Sequence, residues 1–329
     1  MPNDAVPADS CSLPMFRSLF IALLILLSSG CLMPEGTAER GLDEEGDPLM
    51  IVATTSMIAD LVREVGGDRV RVEGLMGPGI DPHTYQASEG DVSAMTQAHL
   101  ILYNGLHLEG KMTDVFAQMR QRGLNVHAIT EGIQPDQLLS SESFAGNHDP
   151  HIWFDPLLWQ EAAYRIGELL AATDTLHAEI YRKRTSTYAD RLSALFAEAR
   201  ERLSAIPEGR RILITSHDAF GYFGRAFGIE VRGLQGMSTA LEAGIADVRE
   251  VADFVVEHRI PALFVESSIS PRGIQAVQEA VRARGFEVRI GGTLHGDALG
   301  TPGSSAESYI GMFRSNVETI VANLSTLPQ

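Results

Sequence analysis

Apolar and polar positions along the chain follow two periods in turn. Residues 50–55 form a short run rich in β-branched side chains, and residues 58–65 then place apolar positions three and four apart before Gly66-Gly67. The first pattern predicts a buried strand and the second an amphipathic helix with a glycine C-cap. Residues 70–76 alternate as a second strand, and Gly77-Pro78-Gly79 turns the chain away from it. Strands at 100–103 and 125–129 continue the series, with helical stretches between them.

The same order returns later. Residues 211–219 mirror residues 53–59, and each segment leads into a glycine and a Val-Arg strand, at Val70 and at Val231. This weak internal repeat predicts two lobes of one α/β design with mainly parallel sheets. Residues 262–265 and 287–290 supply further strands, and a helix from Ser308 onward closes the second lobe. From 175 to 206 there is neither Gly nor Pro, and Ile180, Tyr188, Leu192, Leu195, Phe196 and Leu203 are spaced for a single helix. It would run roughly 45–50 Å at about 1.5 Å per residue and join the lobes without a flexible hinge, which restricts opening.

Composition narrows the class. In 329 residues, 44% hydrophobic and 21% charged residues give the balance of a soluble globular protein with room for two domains. A formal charge of −17, with no Lys/Arg cluster, excludes binding to nucleic acid through its phosphates. The two cysteines, Cys11 and Cys31, both lie near the N-terminus, so no disulfide framework or cysteine metal site exists in the body of the chain. The apolar run at 20–27 is too short to span a bilayer and ends in Ser28-Ser29-Gly30-Cys31, the pattern of a bacterial lipoprotein signal with Cys31 as the lipid anchor. Ordinary secretion with cleavage near Gly30 is the alternative. Asp4 and Asp9 are foreign to a signal's basic start, and Met15-Phe16-Arg17 offers a better one than Met1. Residues 32–48, rich in Gly, Glu, Asp and Pro, read as a flexible tether.

Candidate chemistry sits in four short motifs: Asp81-Pro82-His83, Asp149-Pro150-His151, Ser216-His217-Asp218 and the Asp297 segment Gly296–Gly300. Imidazole nitrogens and a carboxylate are donors that suit Zn²⁺, Mn²⁺ or Fe²⁺, so His83, His151, His217 and Asp297 read as one metal site formed where two halves meet. Each Pro fixes the backbone before its His, which leaves less entropy to lose on binding. Asp81 and Asp149 are placed to orient an imidazole or its loop. His295, two positions before Asp297, is a competing ligand candidate, and His148 beside the second motif is a candidate for transient capture whose better reading is an ordinary loop histidine, whereas His99, His107, His127, His177 and His258 read as core or surface residues. Glu109 and Glu266, near strand ends, read as structural or docking residues. No His-Glu-x-x-His or comparable catalytic set occurs, so the chain is not expected to be an enzyme.

Beyond residue 50 the motifs Asp81-Pro-His-Thr-Tyr85, Asn104-Gly-Leu-His-Leu-Glu109, Asp149-Pro-His-Ile-Trp153, His217-Asp-Ala-Phe-Gly-Tyr-Phe223 and Asp297-Ala-Leu-Gly300 resemble those of the zinc/manganese ABC-transporter solute-binding lipoproteins. The resemblance implies two α/β lobes joined by one rigid helix, with the metal in the cleft between them on His83, His151, His217 and Asp297. The expected organisation is a signal peptide at 1–30, a tether at 31–48, metal-binding lobes at 49–172 and 208–329, and a linking helix at 173–207. The implied function is high-affinity capture of Zn²⁺ or Mn²⁺ outside the cytoplasmic membrane and delivery to the permease of an ABC importer, by a lipid-anchored monomer. A secreted metal-dependent hydrolase and an adhesin with a structural metal are the alternatives. This chain lacks the long histidine-rich loop common in dedicated zinc importers, and it keeps His217 where many manganese binders carry Glu.

Overall fold

Leu49–Ala53 (β1) is apolar throughout because it is the interior strand of a four-stranded parallel sheet, ordered β2-β1-β3-β4. Its neighbours are β2 (Val70–Gly74), β3 (Leu100–Tyr103) and β4 (Val126–Ala128). Edge strand β2 instead alternates charged and apolar residues. The computed structural model describes residues 47–140, 144 and 146–325; the signal peptide, Cys31 and the tether up to Gly46 lie outside the described residues.

Helix α1 (Ser56–Gly66) begins where the Thr55 side chain accepts the Ile58 N–H, at 3.3 Å. It buries Met57, Ile58, Leu61, Val62 and Val65 and stops at Gly67, whose φ of 62° lets it close the last turn on Arg63 O. Helices α2 (Glu89–Gln97) and α3 (Thr113–Gln121) complete the first lobe's β-α alternation. Helix α4 (Pro156–Thr173) follows, with Asp155 as its cap and Pro156 in its first turn.

The long helix α5 spans Ala178–Leu203, about 39 Å at 1.5 Å per residue, somewhat shorter than the 175–206 expected. Residues Thr175–His177 form a separate 3₁₀ turn. Asp174 makes the break: its carboxylate holds His177 Nδ1 and the Tyr181 hydroxyl, each at 2.8 Å, which fixes the corner between α4 and α5. The two helices lie so close that a Cβ on Gly167 would stand 2.2 Å from Thr185 Oγ1.

Past the long helix, β5 (Ile212–His217) and β6 (Glu230–Gln235) pair in parallel across α6 (Gly221–Phe227). Helix α7 (Ile245–Glu257) leads to β7 (Ala262–Glu266), which pairs in parallel with β8 across α8 (Arg272–Arg282). Strand β8 is Arg289–Leu294, later than the 287–290 expected, and α9 (Tyr309–Leu324) closes the chain behind its Ser308 cap. The expected repeat is visible as a parallel β-α-β unit opening each lobe.

Three hydrophobic clusters form the interior of the described residues: one around Ile101, Met95 and Phe116 lies within the first half, one around Leu263, Val255 and Ile274 within the second, and the largest runs through both lobes and the helices between them. It joins Ile51 and Leu100 of the first sheet to Trp159 and Ile166 on α4 and to Tyr188 and Leu192 on α5. From there it reaches Leu213, Phe264 and Phe313 of the second half. None of the described helices is long and apolar enough to cross a membrane.

Candidate metal centre

Parallel sheets gather ligands beyond the carboxyl ends of their strands, and all four candidate residues lie there. His83 is in the loop after β2, His151 follows β4 by way of the second Asp-Pro-His turn, His217 ends β5, and Asp297 follows β8. All four are buried, and one donor atom from each lies within 4.8 Å of every other.

Three of the donor spacings are close to those of a coordination sphere. Four donors at roughly 2.0 Å from one cation in a tetrahedron stand about 3.3 Å apart. His83 Nε2 and His151 Nε2 are 3.2 Å apart, His217 Nε2 and Asp297 Oδ2 are 3.3 Å apart, and His151 Nε2 and Asp297 Oδ1 are 3.6 Å apart. Both Asp297 oxygens are buried and face only imidazole nitrogens, Oδ2 that of His217 and Oδ1 that of His151, as a carboxylate placed to share a cation with them would.

Carboxylates behind two of the imidazoles set their tautomers. Asp149 Oδ1 lies 2.7 Å from His151 Nδ1 and also accepts the His151 backbone N–H at 2.9 Å. Glu266 straddles His217: Oε1 accepts its backbone N–H and Oε2 stands by Nδ1, both at 2.9 Å. A proton held on each Nδ1 leaves Nε2 as the donor facing inward. Gly296 makes room for this arrangement, since a Cβ there would meet Glu266 Oε2 at 2.1 Å.

Burial pushes the His83 imidazole down to about 3, keeping it a neutral donor at physiological pH. His217 feels the same burial, but Glu266 and Asp297 outweigh it and hold the ring well above the usual histidine range. Burial alone would raise the Asp297 carboxyl; His217, His151 and His83 together hold it well below the carboxylate range.

Hydrogen bonds between the halves fix the loops that carry the donors. Trp153 Nε1 donates to Gly296 O at 2.9 Å, and the Tyr222 hydroxyl donates to Asp149 O at 2.8 Å. Leu299 N–H donates to Ser56 Oγ at 2.9 Å. The Asn104–Glu109 segment serves the same end: Asn104 Nδ2 donates to Pro150 O at 3.0 Å, while buried Glu109 accepts from Thr54 Oγ1 and the N–H of Asn104 and Gly105.

His295 is absent from the converging set; its backbone is pinned on both sides by the Asn316 side chain, at 2.9 Å each way. His148 bonds Ser140 Oγ at 3.0 Å and lines a separate cavity with His107. Asp149 orients an imidazole and Asp81 orients a loop, the two options open for them in the sequence. Glu266, read there as structural or docking, is the partner that aligns His217. Its position at the end of a strand in the second lobe was the available signal.

A buried four-donor cluster closed between two parallel α/β lobes that share one long helix defines a class, the two-lobed solute-binding proteins. The chain belongs to the family described as zinc-uptake complex component A, periplasmic, whose sequence model matches residues 51–323. It is 46% identical to the zinc-binding protein TroA of Treponema pallidum over 94% of this chain and all of that one. To the manganese-binding lipoprotein MntA of Bacillus subtilis it is 41% identical, over 91% of this chain and 97% of the relative. The solved structure of periplasmic zinc-binding TroA superposes with a TM-score of 0.83 at 44% identity, covering 85% of this chain and all of that one.

Proposed function

We propose that this protein captures a divalent transition metal, Zn²⁺ or Mn²⁺, outside the cytoplasmic membrane and delivers it to the permease of an ABC importer. His83, His151 and His217 give one nitrogen each and Asp297 one or both oxygens, with the donors drawn from lobes 49–172 and 208–329 on either side of the linking segment 173–207. Cys31 carries the lipid that holds the monomer at the membrane. The observation that supports this most is the convergence of four buried donors, three imidazole nitrogens and a carboxylate oxygen, all within 4.8 Å of one another.

Capture without catalysis fits the surroundings. A catalytic metal keeps an open position beside a free general base. Here the carboxylates directly behind the ligand imidazoles, Asp149 and Glu266, are both engaged with them. The same donors accept Fe²⁺, and at equal availability Zn²⁺ binds more tightly than Mn²⁺.

The test is elemental analysis of protein purified without added metal, followed by Zn²⁺/Mn²⁺ competition titration of the native chain and of His217→Ala. Stoichiometric metal is expected, with affinity in the variant lower by about tenfold or more, since even loss of a residue behind a ligand costs about 10–100-fold. Unchanged affinity would remove His217 from the ligand set.

A further inference from the structure

The two Asp-Pro-His turns have the same sequence and are held differently. In both, Asp Oδ1 accepts the backbone N–H of its His at 2.9 Å. Asp149 then turns the same oxygen to His151 Nδ1. Asp81 makes no such contact, and His83 Nδ1 is buried with no partner among the described residues. The second oxygen of Asp81 instead accepts the Thr84 hydroxyl at 3.1 Å and, across the cleft, the Thr239 hydroxyl at 2.6 Å.

Thr239 belongs to the loop 236–244 between β6 and α7, which begins and ends in glycine. Buried Met237 is its apolar anchor, while Ala240, Leu241 and Glu242 are exposed and leave the tip little packing. The loops of His151, His217 and Asp297 are tied between the halves through Tyr222, Trp153 and Ser56. For the His83 loop, Thr239 to Asp81 is the one hydrogen bond to the second half among the described residues, and both partners are only half-buried.

We propose that the Thr239–Asp81 hydrogen bond is the latch of the metal centre and that His83 is the ligand it holds. The inference rests on the capture reading above and deepens it: it names the ligand that leaves first. Parting of Thr239 from Asp81 frees the His83 turn from the second lobe, and no carboxylate behind the His83 ring keeps that imidazole aimed. His151, His217 and Asp297 stay fixed by their own buried contacts, so the cation passes from four donors to three before it leaves. Thr239 and Asp81 act through His83 and are positioning residues.

Stopped-flow release of Zn²⁺ and of Mn²⁺ into a chelator tests this on the native chain, Thr239→Val, Thr239→Ser and Asp81→Asn. Valine keeps the shape of threonine and loses the hydroxyl; asparagine retains an oxygen for the His83 N–H but replaces the charged second acceptor with an amide N–H, which leaves only a weaker neutral bond to Thr239 Oγ1. Loss of a hydrogen bond to a charged acceptor is expected to speed release by about tenfold in Thr239→Val and by a smaller factor in Asp81→Asn, with association unchanged and Thr239→Ser close to native. The double variant Thr239→Val/Asp81→Asn should release no faster than Thr239→Val, because with the hydroxyl gone the change at residue 81 has no bond left to weaken. Far-ultraviolet melting identifies any variant that has merely lost its fold, and Asp81→Asn alone then decides. A native chain that holds no metal sinks the capture reading and the latch with it. A native chain that holds metal, with release unchanged in the folded variants or with additive effects, sinks the latch alone.

Discussion

Glu266 shows how much a single side chain behind a ligand contributes. Exchanging it for glutamine keeps the volume and an acceptor for the His217 N–H, but an amide N–H at the Oε2 position can face Nδ1 only if that nitrogen gives up its proton. The proton then sits on Nε2, where the cation must bind. Glu266→Gln should therefore lower metal affinity by about 10–100-fold, read by competition titration, while the metal-free chain keeps its fold. A change below about threefold would show that the tautomer is set elsewhere. The four candidate ligands were legible in the sequence because each lies in a short motif whose Pro or strand end announces a rigid loop. Glu266 and Thr239 were not, because they reach their partners only through strand order and loop path. The distance from Glu266 to His217 is 49 positions along the chain and that from Thr239 to Asp81 is 158.

Helices are where local chemistry overrode the apolar pattern. The pattern over 175–206 predicted one helix correctly in place and kind, but the Asp174 hydrogen bonds to His177 and Tyr181 start it three residues late. The contact between α4 and α5 is tight at Gly167, so Gly167→Ala forces Thr185 aside and should cost about 1–3 kcal/mol by urea unfolding. Asp60, on α1, ties that helix to α9 by accepting the Tyr309 N–H at 2.9 Å. Burial, aided by Glu64 and opposed by the Tyr309 N–H, raises its carboxyl from 3.8 to about 6. A raised carboxyl binds its proton more tightly in the folded chain than in the unfolded one, so this group destabilises as pH rises from about 4 through 6. Asp60→Asn should match the native chain near pH 4 and exceed it at pH 7 by at most about 3 kcal/mol, the equivalent of that rise. A stability difference that stays flat between pH 4 and 7 would refute the assignment.

Two lobes ordinarily suggest two unfolding events, and a chain of this length often passes through intermediates. The core argues otherwise here. Ile51, Trp159, Leu192, Phe264 and Phe313 belong to one cluster, and α5 with α9 forms a wall shared by both halves. The candidate metal centre adds a tie of the same kind, because its four candidate ligands come from both halves and the hydrogen bonds around it cross between them. Neither lobe can unfold without exposing apolar surface of the other, so calorimetry should give one transition, with van't Hoff and calorimetric enthalpies in agreement. A ligand that binds only the folded state at a hundred times its Kd adds about 2.7 kcal/mol, which for a folded unit of this size moves Tm upward by about 5 °C. Zn²⁺ or Mn²⁺ should therefore shift that single peak as a whole. Two separating peaks, with only one responding to the metal, would mean that the long helix links the lobes without coupling them and that all four donors come together only while both halves are folded independently.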